Sequence, residues 1–173
     1  MNLGQPIIGM SSCLLGQAVR YDGSDKNQPD LLAALSEHFQ FQAYCPEMAI
    51  GLGVPREPIH LVERDGQIRC VGTQTASLDV TDALQQLAQQ HYAQHLQLSG
   101  YIFKRGSPSC GSRKVKLIKN QQLQRTAVGL YAEKLMANFP QLPVADEDQL
   151  QQAEQRDQFI AAVYAYHRSK LQS

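Results

Sequence analysis

Three short apolar runs in this chain each lead to a cysteine, and each is stopped by residues that cannot continue a strand. Ile7 to Cys13 runs into Leu14-Leu15-Gly16, Phe41 to Cys45 stops at Pro46, and Tyr101 to Lys104 passes into Arg105-Gly106-Ser107-Pro108-Ser109-Cys110-Gly111. Short apolar runs bounded by glycine or proline read as buried strands, because proline has no N–H for a central ladder and glycine permits the turn. Between the first two runs, Pro29 suits the first position of a helix on which Leu31, Leu35 and Phe39 share a face. Strand, returning helix and strand make a parallel pair. Cys13, Cys45 and Cys110 then fall at the carboxyl ends of neighbouring strands, where the ligands of open parallel sheets bind.

The remaining chain continues the alternation. Gly51 to Pro58 reads as an ordered loop, and Ile59 to Val62 and Gln67 to Val71 flank Asp65-Gly66, a hairpin signal. Asp79 or Thr81 is expected to cap a helix with Leu84, Leu87, Ala88 and His91 on one side. Val115 to Ile118 reads as a strand, Ala127 to Asn138 as a helix and Leu142 to Ala145 as a final strand ending at Asp146. From about 147 to 171, Ala153, Ile160, Val163, Tyr164, His167 and Leu171 recur at helical intervals and predict one long amphipathic helix. These elements predict a single α/β domain over 1-173, with its core at about 5-146 and one antiparallel excursion in an otherwise parallel sheet.

Sixteen basic residues balance sixteen acidic ones with neither sign concentrated, so the electrostatic footprint of a nucleic-acid binder is missing. No basic region precedes the first apolar run and no segment approaches a membrane-spanning length, so a cytoplasmic protein with no membrane partner is expected. In that reduced compartment four cysteines point to metal binding or catalysis in place of disulfides. The final helix leaves monomer and homodimer both open.

Cys13, Cys45 and Cys110 are far apart in sequence and unlike the paired knuckles of structural zinc, so only the tertiary fold can assemble them. Three thiolates leave one position of a tetrahedral zinc, or one iron of a four-iron cluster, without a cysteine. A vacant position is what catalysis at a metal requires. Cys70 lies inside a hairpin strand and reads as core. Glu47 follows Cys45 across Pro46, within about 7 Å between Cα atoms, and reads either as a proton carrier at the site or as an exposed loop residue. Ser107-Pro108-Ser109-Cys110 has proline where a β-turn wants it, which sets Ser107 beside Cys110; Ser109 competes for any active role, and turn serines also serve local backbone bonds. Arg20 and Tyr21 could meet a planar substrate, while Asp22 reads as a solvated charge. Arg56 and Asp146 lie near the crevice with no fixed direction. His91 and His95, one helical turn apart without a third ligand, read as helix surface.

At these residues the chain resembles the thiouracil desulfidase family. The matching stretches are SSCLLGQAVRYDG at 11–23, CPEMAIGLGVPRE at 45–57 and SPSCGS at 107–112. The resemblance implies a Rossmann-like α/β fold and a 4Fe-4S cluster held by Cys13, Cys45 and Cys110, with Glu47 and Ser107 assisting catalysis. It implies as substrate a small thiolated compound whose thiocarbonyl carbon is polarised by the cluster's unligated iron and attacked by water, releasing sulfide without electron transfer. A zinc hydrolase on the same three thiolates and a non-catalytic sulfur or cluster carrier are the alternatives.

Overall fold

A computed structural model describes residues 4–173; Met1 to Leu3, the start of the stretch read above for a leader, lie outside the described residues. Strands β1 (Ile7–Ser11), β2 (Gln40–Tyr44), β5 (Gly100–Phe103) and β8 (Val144–Asp146) form one four-stranded sheet in the order β2-β1-β5-β8, with every pairing parallel. The order of connection reverses at β1, and such a reversal opens a crevice between the loops leaving β1 and β5. The chain is an α/β protein with a Rossmann-like parallel sheet and a long carboxy-terminal helix, α6 (Ala153–Gln172).

Period-two alternation along the strands sends side chains to two separate cores. Ile8, Met10 and Ile102 face α1 (Pro29–Ser36) and α6 through Leu31, Leu35, Phe159 and Val163. Tyr101 and Phe103 face α3 (Thr81–Gln90) and α5 (Leu130–Asn138) through Leu87, Ala88, Tyr131 and Leu135. Gly9 has no side chain on this second face because the Tyr101 ring fills the space; a Cβ there would lie 2.4 Å from the ring. Two short helices, α2 (Pro46–Ala49) and α4 (Tyr92–His95), complete the helical set among the described residues. None of the helices is long and apolar enough to cross a membrane.

The antiparallel part is larger than the sequence predicts. β3 (Ile59–Arg64) and β4 (Gln67–Gly72) form the expected hairpin about Asp65-Gly66, but β6 (Val115–Lys119) and β7 (Gln122–Ala127) form a second. The two hairpins join through a parallel β3–β6 pairing into a separate sheet, β4-β3-β6-β7. Ala127, read as the start of a helix, therefore ends a strand, and the helix begins at Leu130. Val80 takes the cap position of α3, while Asp79 accepts the Thr81 N–H and the Thr81 hydroxyl accepts the Cys70 N–H. Helix α6 starts six residues later than its predicted 147, because Asp146 and Gln149 exchange hydrogen bonds that hold a separate 3-10 turn, Gln149–Gln151.

Candidate functional site

All three strand-exit cysteines border one cavity of about 280 Å³, together with Glu47, Ser107, Ser109, Arg20 and Tyr21. The strand read as running to Cys13 ends at Ser11, and Cys13 sits two residues beyond it, in a 3-10 turn (Ser12–Leu15) that Gly16 closes with a left-handed backbone. Cys45 precedes α2, and its carbonyl accepts the Ala49 N–H. Cys110 is fixed by its surroundings. Its N–H donates to Ser107 Oγ at 3.0 Å, and the Gly111 N–H donates to the Ser107 carbonyl at 2.7 Å. The first turn of α5 then grips this loop: the N–H groups of Tyr131 and Ala132 both donate to the Ser109 carbonyl, and that of Leu130 to the Pro108 carbonyl. Cys70 is fully buried in the core of the second sheet and away from the cavity.

Burial raises all three cavity thiols above the ordinary cysteine range. Cys110 is pushed up to about 12, its burial being the dominant cause. For Cys13 burial likewise dominates, opposed by the positive charges of Arg20 and Lys104. Cys45 is raised by burial and, less strongly, by the neighbouring Glu47 charge. As free side chains these are protonated, unreactive thiols.

Glu47 points into the cavity. Its Oε2 takes Arg56 Nε and Nη2, each at 2.9 Å, and its Oε1 takes the Ser109 hydroxyl at 3.0 Å. Among the described residues lining the cavity Glu47 is the one carboxylate, and no histidine joins it. Ser107 Oγ already accepts the N–H groups of Ser109 and Cys110, so its own hydrogen is left for Ser109 Oγ, 3.0 Å away. Ser109 has one hydrogen, and the carboxylate at 3.0 Å is a stronger acceptor than the Cys110 sulfur at 3.6 Å. The hydroxyls thus run in one direction, Ser107 to Ser109 to Glu47. Ser107 is part-exposed at the cavity, whereas Ser109 is buried.

Arg20 lies over the Tyr21 ring at 5.9 Å, and both line the cavity. Asp22 faces away, accepting the Ser24 N–H and hydroxyl. Two residues have a larger place than their sequence positions suggest. Arg56 turns inward onto Glu47, and Lys104 lines the cavity with its ammonium on Glu147 Oε1 at 2.6 Å. Neither has a pattern in sequence that fixes its direction, although Lys104 directly follows the third buried strand. Asp146 is nearly fully buried and pairs with Arg113 at 2.8 Å, outside the cavity.

The histidine expectation is overturned. His95 is buried, not on the helix surface, and His91 is part-buried; both rings meet the Tyr131 hydroxyl, at 2.7 and 2.9 Å. Neither lines the cavity.

The chain is similar to known proteins. A solved structure titled as the 4Fe-4S-dependent thiouracil desulfidase TudS is 34% identical and aligns over 86% of this chain and 94% of its own, with a TM-score of 0.62. The uncharacterized protein YbbK of Bacillus subtilis (strain 168) is 37% identical over 112 residues, 61% of this chain and 74% of YbbK. The profile of the 2-thiouracil desulfurase family matches residues 8–147, a span holding all three cavity cysteines, Glu47 and both serines. The chain belongs to the 2-thiouracil desulfurase family.

Proposed function

We propose that the protein is an iron–sulfur-dependent desulfidase acting on a thiolated pyrimidine or related thiocarbonyl compound. Cys13, Cys45 and Cys110 are the ligands of a 4Fe-4S cluster, and Glu47 and Ser107 are its catalytic groups. The observation that carries this reading is the meeting of three thiols, scattered in sequence, on a cavity with a single lining carboxylate among the described residues.

The donor set suits a cluster. Three cysteine thiols on one cavity wall are the soft sulfur donors that an iron–sulfur cluster takes. Binding displaces the thiol protons that burial now retains. When bound, the cluster supplies an iron without a cysteine ligand, a Lewis acid for a thiocarbonyl sulfur.

The chain's own residues manage protons and orientation. Water adding to the C=S carbon must lose a proton, and the Glu47 carboxylate takes it, directly or through the Ser107 and Ser109 hydroxyls. Arg20 and Tyr21 at the cavity wall orient the ring of the substrate. Sulfur leaves as hydrogen sulfide and oxygen takes its place, so no electrons are exchanged. Cys13, Cys45, Cys70 and Cys110 are all free thiols, which suits the reducing cytoplasm.

Protein purified without oxygen is expected to contain iron and acid-labile sulfide and to release sulfide from thiouracil over many turnovers. Each of Cys13→Ser, Cys45→Ser and Cys110→Ser should lose the iron. A full iron complement in the Cys45 variant would refute the ligand assignment, and binding of thiouracil without turnover would leave a carrier instead of an enzyme.

A further inference from the structure

We propose that Arg56 is a positioning residue that locks the Val19–Tyr21 wall of the cavity to the Glu47 carboxylate, so that the surface receiving the substrate and the group receiving its proton move as one body. The proposal rests on the desulfidase reading.

The Arg56 side chain is only 7% exposed, and each of its three nitrogens is engaged. Nε donates to Glu47 Oε2, Nη2 lies 2.9 Å from the same oxygen and donates to the Val19 carbonyl at 2.8 Å, and Nη1 donates to the Gly53 carbonyl at 2.8 Å and toward Met48 Sδ at 3.6 Å. All three guanidinium nitrogens are thus engaged by Glu47, Val19, Gly53 and Met48, none of them a substrate group. Its influence on the reaction therefore passes through the groups it holds. The backbone joins the same lock, since the Arg56 N–H donates to the Tyr21 carbonyl at 2.9 Å. Arg56 grips the loop after β1 on both sides of Arg20, one bond to Val19 and one to Tyr21, while Glu47 belongs to helix α2, just after β2. Lysine keeps the charge but offers three donors from one nitrogen, which cannot span Glu47, Val19 and Gly53 together.

The test uses anaerobically prepared, cluster-loaded wild type, Arg56→Lys, Arg56→Ala and Glu47→Gln, with thiouracil as substrate. Both Arg56 variants should retain wild-type iron, lose about 10- to 100-fold in kcat and raise KM, because both walls of the site lose their register. Added guanidinium ion should restore part of the kcat of Arg56→Ala and none of that of Glu47→Gln. Trypsin should cleave after Arg20 several-fold faster in Arg56→Lys than in wild type or Glu47→Gln. In wild type the Arg56 amide should exchange its hydrogen slowly; free exchange there overturns the lock even if every variant fails to fold. Wild-type kcat, KM and Arg20 protection in Arg56→Lys would overturn it too. If wild type releases no sulfide from thiouracil, the desulfidase reading falls, and faster tryptic cleavage in Arg56→Lys would still uphold the lock.

Discussion

Ser109 Oγ and Glu47 Oε1 stand 3.0 Å apart although 62 residues separate them in the chain. The bond joins the loop after β5 to helix α2 and makes Ser109 the middle of the hydroxyl path from Ser107. Ser109→Ala should cut that path and lower the turnover of thiouracil by about 10- to 100-fold, while iron content stays at the wild-type level. Ser107→Ala should lower turnover as well and also free the Cys110 N–H, losing about 1 kcal/mol of stability. Sulfide release and iron analysis on the same preparations separate the two effects.

Gly129 holds the Cys110 loop by having no side chain. A Cβ there would lie 2.6 Å from the carbonyl carbon and oxygen of Ser109, and the Gly129 N–H donates to the Gly111 carbonyl at 2.7 Å. Gly129→Ala must push the Ser109–Gly111 backbone aside. It should destabilise the fold by about 1–3 kcal/mol and reduce the iron bound, measured by urea midpoint and metal analysis. Full iron loading in this variant would show that the loop adapts.

Cys70→Ser should behave in the opposite way. Cys70 is fully buried among Leu61, Val80 and Leu84, so a hydroxyl there costs about 1–3 kcal/mol in stability, but the cluster should load normally. Thermal melting together with iron content checks both halves.

The His95 site makes stability depend on pH. Burial holds His95 down to about 4, and His91 is also lowered by burial. Below about 6.5 the unfolded chain takes up protons that the folded His95 refuses, so stability falls as pH drops from about 6.5 toward 4. His95→Gln should flatten that fall, read as the change in urea midpoint between pH 7 and pH 5. An unchanged slope in the variant would move the effect elsewhere.

The parallel sheet and its three cysteine exits were legible because the signals are local: an apolar run, then glycine or proline. The first hairpin was legible for the same reason, since Asp65 and Gly66 both adopt positive φ and the Asp-Gly pair announces it. The second hairpin turns at Asn120 and Gln121, which also take positive φ but include no glycine, so a lone asparagine was its turn signal and the second sheet was missed. The buried histidines were read as surface because their partner, Tyr131, lies on another helix. Arg56 was left without a direction because a loop has no periodicity, and only the fold brings Val19 and Glu47 to it.

Helix α5 grips the Cys110 loop from the far end of the β6–β7 hairpin's two legs, since β6 begins at Val115 just after Gly111 and β7 ends at Ala127 just before Gly129. The tip at Asn120-Gln121 therefore points to the end of the ribbon opposite those anchors. Peptide tags or reporter modules grafted between these two residues would lengthen the ribbon outward without pulling on the cavity, an attachment point for following the protein in cells.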